Sequence, residues 1–562
     1  MRLPAFPLAF TFLVSLSVLA QQAGPSEVQE RRLPNGARLL LVERPGLTAF
    51  HATLVFRGGR TEEPAALAGA TDLLARALYG HTWPEDVTDP GPGGSSLDPL
   101  LKQEEGLLES LRLEDLRRKA DPAIPSQASG LEASLQALRE RIAGLRPSAP
   151  LSDVYASAGG RQSSRAEADA LVADTELPVA AFGLWCRTEA RRLERLQLSR
   201  FFEARTALIA ALKAGPEPGS DPGMALLLGA ALPGHPYGRN LADHLAGLEA
   251  IRWSDLRAYA RRACSPDRLT LVVVGGLGMD SVLPLVSRTL GALPAPEPTE
   301  DPILPEIRSD LGDRRIQATL GGASRLLVGW RIPSRNHPDH LPLRMAAQIL
   351  AGGRTGRLAT RLVQQKGLAA RVEVRMDEPG ARHPGLMTIE LWPSEGHSLA
   401  ELEAALHSEI LRFQQEALTP EEWQRAMAEL DTGRLLAEDT PEALAHTLAR
   451  AWTEAGDWRA GYSEAQRLRT LTPESVQAAV QAWLQPSHRT TALLEPALLA
   501  GQDPLEVEMA QALGSLAARR IQDPGQRERL VADGLRQLRM LPVEERRRTL
   551  KLLLAQVPPV AK

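Results

Sequence analysis

At 562 residues the chain is longer than one hydrophobic core organises, so at least two core-sized units are expected. Its 65 basic and 69 acidic residues are dispersed, giving a formal charge of −4, which excludes a nucleic-acid or anionic-membrane surface as an organising feature. Apolar residues at 43%, charged residues at 24% and aromatics at only 4% describe a folded, helix-rich chain with a mainly aliphatic core.

The first elements set the compartment. Arg2, an uncharged apolar stretch from Leu8 to Leu19 and the small Ala20 before Gln21 have the layout of a secretory signal over residues 1–20. The apolar run is shorter than the ~20 residues a bilayer requires, so cleavage near Ala20 and no membrane span in the mature chain are expected. The compartment is then the periplasm or the medium.

Leu33-Pro34-Asn35-Gly36 reads as a hairpin-like opening, followed by a strand at 53–57, a loop, and a helix from about Pro64 to Tyr79. After a Pro/Gly-rich stretch from Trp83 to about Ser95, helical periodicity over Leu97 to Leu116 and Ser129 to Leu145 flanks Pro122-Ala123-Ile124-Pro125. That is a helical hairpin inserted at about 95–150. Cys186 and Cys264 are the only cysteines, which excludes a disulfide framework. Two buried free thiols are preferred to a single bond between them.

An internal repeat follows. Trp253-Ser254-Asp255-Leu256 leads a helix to Pro266 and then a strand through Val272-Val273-Val274; Pro473-Glu474-Ser475-Val476 leads a helix to Pro486 and then a strand through Leu493. Upstream, Leu326 to Trp330 and a helix from about Pro338 to Leu350 repeat the earlier strand and helix. Between the halves, Pro294, Pro296, Pro298, Pro302 and Pro305 mark a linker at 291–312. A charged helical extension occupies 498–562.

Taken in order, Leu33-Pro34-Asn35-Gly36, the 53–57 strand, Gly58-Gly59-Arg60-Thr61-Glu62-Glu63, the Gly69-led helix, His235-Pro236-Tyr237-Gly238-Arg239 and Gly352-Gly353-Arg354-Thr355-Gly356-Arg357-Leu358 resemble the M16 (insulinase, pitrilysin and processing-peptidase-like) metallopeptidases. The resemblance spans roughly residues 28 to 497. It implies an α+β fold of two homologous lobes, 28–290 and 313–497, each a mostly antiparallel sheet packed with helices.

It also implies a lost metal site. Active members of the family bind zinc through His-x-x-Glu-His on the first helix of lobe one, with the Glu as general base, and through a further Glu on a later helix. Anchored on Gly69 and Tyr79, the two His positions fall on Asp72 and Arg76, and the general-base position on Ala75. The later ligand falls on Ala210, although Glu203 is retained before it. A guanidinium has no lone pair to offer a cation, so neither zinc nor a catalytic residue is expected. Asp72 and Arg76, four apart with opposite charge, are expected to form an ion pair.

Substrate-binding features are eroded as well. The edge strand on which family substrates lie corresponds to Gly159 to Glu167, with Ser164 and Glu167 where Asn and Thr would stand. In the second lobe Arg357 is retained as a candidate substrate-binding residue, while Ala359 replaces a Tyr. His337-Pro338-Asp339-His340 is read as a loop with incidental histidines, and His235 as structural. The resemblance therefore implies an inactive subunit that pairs with an active M16 peptidase chain and contacts peptides. The alternatives are a structural subunit with no proteolytic context, or an enzyme with an atypical site.

Overall fold

The computed structural model describes residues 27–78, 97–121, 125–145, 151–196, 198, 200–214, 221–239, 241–295, 302–307, 312–320, 323–353, 355–496, 509, 513, 534–538 and 541–556. The expected signal at 1–20, the Pro/Gly-rich stretch before Ser95, parts of the linker and most of the 498–562 extension lie outside them.

Lobe one runs β1 (Val28–Arg32), β2 (Arg38–Glu43), β3 (Ala49–Arg57), α1 (Ala70–Leu78), α2 (Leu97–Ala120), α3 (Ala128–Leu145), α4 (Leu151–Ser157), β4 (Arg161–Ala166), β5 (Ala170–Pro178), α5 (Phe182–Arg195), α6 (Phe201–Ala214), α7 (Pro222–Ala231), α8 (Leu241–Ala250), α9 (Trp253–Ala263), β6 (Leu269–Gly275) and α10 (Met279–Arg288). Lobe two runs β7 (Arg314–Leu320), β8 (Arg325–Ile332), α11 (His340–Ala351), β9 (Ala369–Glu378), β10 (Gly385–Pro393), α12 (Leu399–Gln415), α13 (Pro420–Leu436), α14 (Pro441–Ala455), α15 (Ala460–Leu468), α16 (Pro473–Trp483) and β11 (Arg489–Pro496). One more helix, α17 (Val543–Gln556), lies in the extension.

The sheets share a plan. Sheet one has the order β1-β2-β6-β3-β5-β4 and sheet two β7-β11-β8-β10-β9. Each contains one parallel pair, β2 with β6 and β7 with β11, and is otherwise antiparallel. The two repeat units are α9 feeding β6 and α16 feeding β11. Both helices stop three residues short of the proline expected to end them, because Pro266 and Pro486 each open a separate 3-10 turn whose preceding residue is extended. Thr419, Thr440 and Thr472 cap α13, α14 and α16 with their side chains, each just ahead of a proline in the first turn.

Period-two alternation divides β3 between two cores. Phe50, Ala52, Leu54 and Phe56 face the helices of lobe one, while Val55 joins Val172, Val272 and Val274 on the opposite face. That opposite face is covered by a helix of the other lobe: Leu444, Ala445, Leu448 and Ala449 of α14. The exchange is reciprocal. Met224, Leu227, Leu228 and Ala231 of α7, from lobe one, cover Leu327, Leu386, Ala492 and Leu494 of sheet two. Gly223 lets α7 sit this close, since a Cβ there would meet Leu494 Cδ1 at 2.2 Å.

Both sheets are therefore buried on two faces, which explains the continuous apolar run of β6. At the ends of the seams, Arg325 forms ion pairs with Asp221 and Glu390, and Arg382 of lobe two reaches Glu62 of lobe one at 2.8 Å. Cys186 and Cys264 are free and buried, and burial pushes each thiol up to about 12, so neither is a nucleophile at neutral pH.

Candidate functional site

The first helix begins later than the sequence implies. Residues 65–67 form a 3-10 turn and α1 starts at Ala70, not Pro64, because Gly69 adopts a left-handed φ of 88°. The new start is held by Glu63, whose carboxylate accepts from the backbone N–H of Gly69 at 2.9 Å and of Thr71 at 2.6 Å. Burial pushes the Glu63 carboxyl up from its ordinary value, against the pull of these hydrogen bonds. Arg239, from the His-Pro-Tyr-Gly-Arg segment, donates to Glu63 Oε2 and its carbonyl, and Tyr259 Oη shares a hydrogen bond with Thr71 Oγ1 at 2.8 Å. The retained motifs thus build the seat of α1.

On that seat, Leu73, Leu74, Ala77 and Leu78 point into the core. Asp72 is half-buried, Ala75 is buried and Arg76 is exposed. Asp72 does not pair with Arg76 as expected. Arg60, on the 3-10 turn Gly59–Glu62, donates Nε to Oδ2 at 2.8 Å and Nη2 to Oδ1 at 2.7 Å. A planar guanidinium meeting both carboxylate oxygens is a stronger arrangement than an i,i+4 contact along a helix surface.

Ala210 stands exposed on α6, which packs against α1, and Glu203 is exposed one helical stretch before it. A zinc ion at these positions would meet one carboxylate already engaged at both oxygens, a methyl group, a guanidinium and a second methyl group. That donor set does not fit the metal. Sequence reading also missed His244 on α8, whose burial holds its imidazole below the ordinary value and which feels the charges of Asp72 and Arg60. Nothing in its sequence neighbourhood marks it.

The strand beside this helix is as expected. β4 is the free edge of sheet one, and Ser164 Oγ donates to the carbonyl of Ala75, tying the edge to α1.

Arg357 is engaged within lobe two. It is 6% exposed, its Nη2 and Nε donate to the two carboxylate oxygens of Glu422, and its guanidinium lies 5.0 Å from the ring centroid of Phe413. Glu422 thus occupies Nε and Nη2, while the buried Nη1 has no hydrogen-bond partner among the described residues. Ala359 opens a π-helical stretch, Ala359–Gln365, directly behind it. His340 Nε2 donates to Asp377 Oδ1 at 2.7 Å, while His337 packs on Trp483. His235 caps a 3-10 turn, its Nδ1 accepting from the N–H of Tyr237 at 3.1 Å, as its structural reading expects.

Residues 251–430 match a family model described as the peptidase M16 inactive domain. The chain is 24% identical over 277 residues to the mitochondrial-processing peptidase subunit beta of Lentinula edodes, an alignment covering 45% of this chain and 53% of that protein. It thus spans about half the length of that curated relative. Among solved structures, a peptidase M16 inactive domain from Pseudomonas fluorescens superposes with TM-score 0.62 at 17% identity, covering 85% of this chain and 99% of that one. The periplasmic protease PqqL of Escherichia coli does so with TM-score 0.60 at 13% identity, over 85% of this chain and 49% of that one. At these identities the structural likenesses speak for the fold.

Proposed function

We propose that this chain, which belongs to the M16 peptidase family, is an exported, non-catalytic homologue that completes a peptidase chamber and helps capture substrate for an active M16 zinc peptidase. One observation carries the reading. The seat of α1 is intact, from the Glu63 cap to the β4 edge, while the ligand and base positions hold Asp72, Ala75, Arg76 and Ala210, with Asp72 locked to Arg60. A scaffold kept without its chemistry fits a partner role. The periplasmic relative from Escherichia coli and the signal-like residues 1–20 support export.

The test pairs activity with association. The isolated full chain should show no chelator-sensitive hydrolysis of unstructured peptides, and should co-purify with an M16 chain that carries the intact His-x-x-Glu-His motif. Chelator-sensitive hydrolysis by the isolated chain would overturn the proposal in favour of an atypical enzyme. A stable native complex containing no peptidase would replace it with a structural role.

A further inference from the structure

Among the described residues, one group of three side chains brings metal-ligating atoms together: His51 on β3, Asp174 on β5 and His446 on α14. Sheet register places two of them. Thr53 lies directly opposite Asp174, so His51, two residues before Thr53, shares the same face of the sheet, the face that α14 covers. The third member arrives from the other lobe on that covering helix.

The three ligand atoms lie within 4.8 Å of one another. His446 Nε2 is 2.9 Å and His51 Nε2 is 3.3 Å from the same carboxylate oxygen, Asp174 Oδ1. Atoms bound at about 2.1 Å to one ion stand about 3.0 Å apart at right angles and about 3.4 Å apart at the tetrahedral angle, so both separations from Asp174 Oδ1 fit two ligand pairs around one ion. The other oxygen, Oδ2, accepts from Arg165, whose Nε also donates to Glu167 at 2.8 Å, and Thr53 Oγ1 donates to Oδ1 at 2.7 Å. Such outer partners fix which oxygen faces the histidines. His51 and Asp174 are each 4% exposed, whereas His446 is half-buried, leaving an approach from its side. His51 turns Nε2 toward Asp174, and its Nδ1 has no hydrogen-bond partner among the described residues.

We propose that His51, Asp174 and His446 form a site for a divalent transition-metal ion of the imidazole-preferring class, zinc foremost, that staples the two lobes together at the α14 seam. Two imidazoles and one carboxylate oxygen select against magnesium and calcium, which take oxygen ligands. Each imidazole would coordinate through its Nε2 lone pair, with the remaining ring proton on Nδ1. This site is separate from the α1 face, and it stands or falls apart from the chamber reading.

The experiment is a titration of the full chain, stripped with chelator and dialysed, with Co²⁺ followed by its ligand-field absorption and with Zn²⁺ by calorimetry. One equivalent should bind, and His446→Ala and His51→Ala should each weaken binding by about tenfold or more. His446→Ala changes a half-buried rim residue and is the variant that keeps the fold; His446→Gln serves as a second, and unchanged far-ultraviolet circular dichroism verifies both. Added Zn²⁺ should raise the thermal midpoint of the wild type and not of either His446 variant. Absence of saturable binding would overturn the site, as would binding that persists undiminished in both His446→Ala and His51→Ala. Binding that is instead lost on Asp72→Ala would place the ion at α1 and overturn the chamber reading as well.

Discussion

The two seams between the lobes follow one plan and are filled differently. Where α7 crosses sheet two, the contact is aliphatic, Leu227 and Leu228 against Leu327, Leu386 and Leu494, bordered by the ion pairs of Arg325 with Asp221 and Glu390 and by Arg314 donating to the Ala230 carbonyl. Where α14 crosses sheet one, aliphatic contacts from Leu444 and Leu448 run beside a buried polar group of His51, Thr53, Asp174 and His446. A buried polar group costs stability unless it is hydrogen-bonded, so the hydrogen bonds converging on Asp174 give the second seam a fixed geometry in place of adaptable apolar packing. One seam supplies adhesion and the other supplies register.

The largest test of this difference lies in the aliphatic parts. Leu227→Ala in α7 and Leu448→Ala in α14, at 0% and 1% exposure, should each lower unfolding stability by about 2–5 kcal/mol in denaturant titrations. A loss below about 1 kcal/mol for either would mean that its helix does not cover its sheet. Next comes the polar group. Asp174→Asn leaves Arg165 and the two histidines without their shared charge and should cost about 1–3 kcal/mol. Equal stability of variant and wild type would show that α14 is held by its leucines alone.

Acid should separate the seams further. Beside α7, burial pushes His235 and His383 down to about 4 from the ordinary 6.5. The unfolded chain therefore binds protons first, and stability should fall as pH drops from about 6.5 toward about 4. At α14, burial alone would raise the Asp174 carboxyl, but hydrogen bonds from His446, His51 and Thr53 outweigh it and hold the group well below the usual range. Its contribution is present above the ordinary carboxyl value and is lost only as pH falls below it. Urea titrations at stepped pH should show His235→Gln flattening the upper window and Asp174→Asn the lower; the reverse assignment would contradict both. The smallest effect is expected at the rim, where the exposed pair of Arg161 with Glu442 at 3.1 Å should leave stability unchanged within error in Arg161→Ala.

Local chemistry was readable from the sequence. The α9–β6 and α16–β11 repeats follow from turn residues and periodicity, and the structure reproduces them within a few residues, while the β4 edge was implied by the family resemblance. The start of α1 was misread because Pro64 looks like a first-turn proline, whereas the left-handed Gly69 five residues later sets the true beginning. The partner of Asp72 was misread because a helix offers an i,i+4 candidate and a preceding turn offers a better one. The exchanged helices and the His51, Asp174 and His446 group were invisible, since Asp174 and His446 are 272 positions apart and no pattern in one chain reports contacts at that range.

The reciprocal exchange has a direction in time. Sheet two finds α7 already made when its strands emerge, because α7 precedes every one of them in the chain. Sheet one is complete at β6, yet its outer face waits for α14, which is synthesised after four of the five strands of the other lobe. A nascent or truncated chain ending before Pro441 therefore presents Val55, Val172, Val272 and Val274 to water, and should bind a hydrophobic dye that the full chain does not. The first half of this molecule is made early and finished late, and its outer face is what a chaperone would meet.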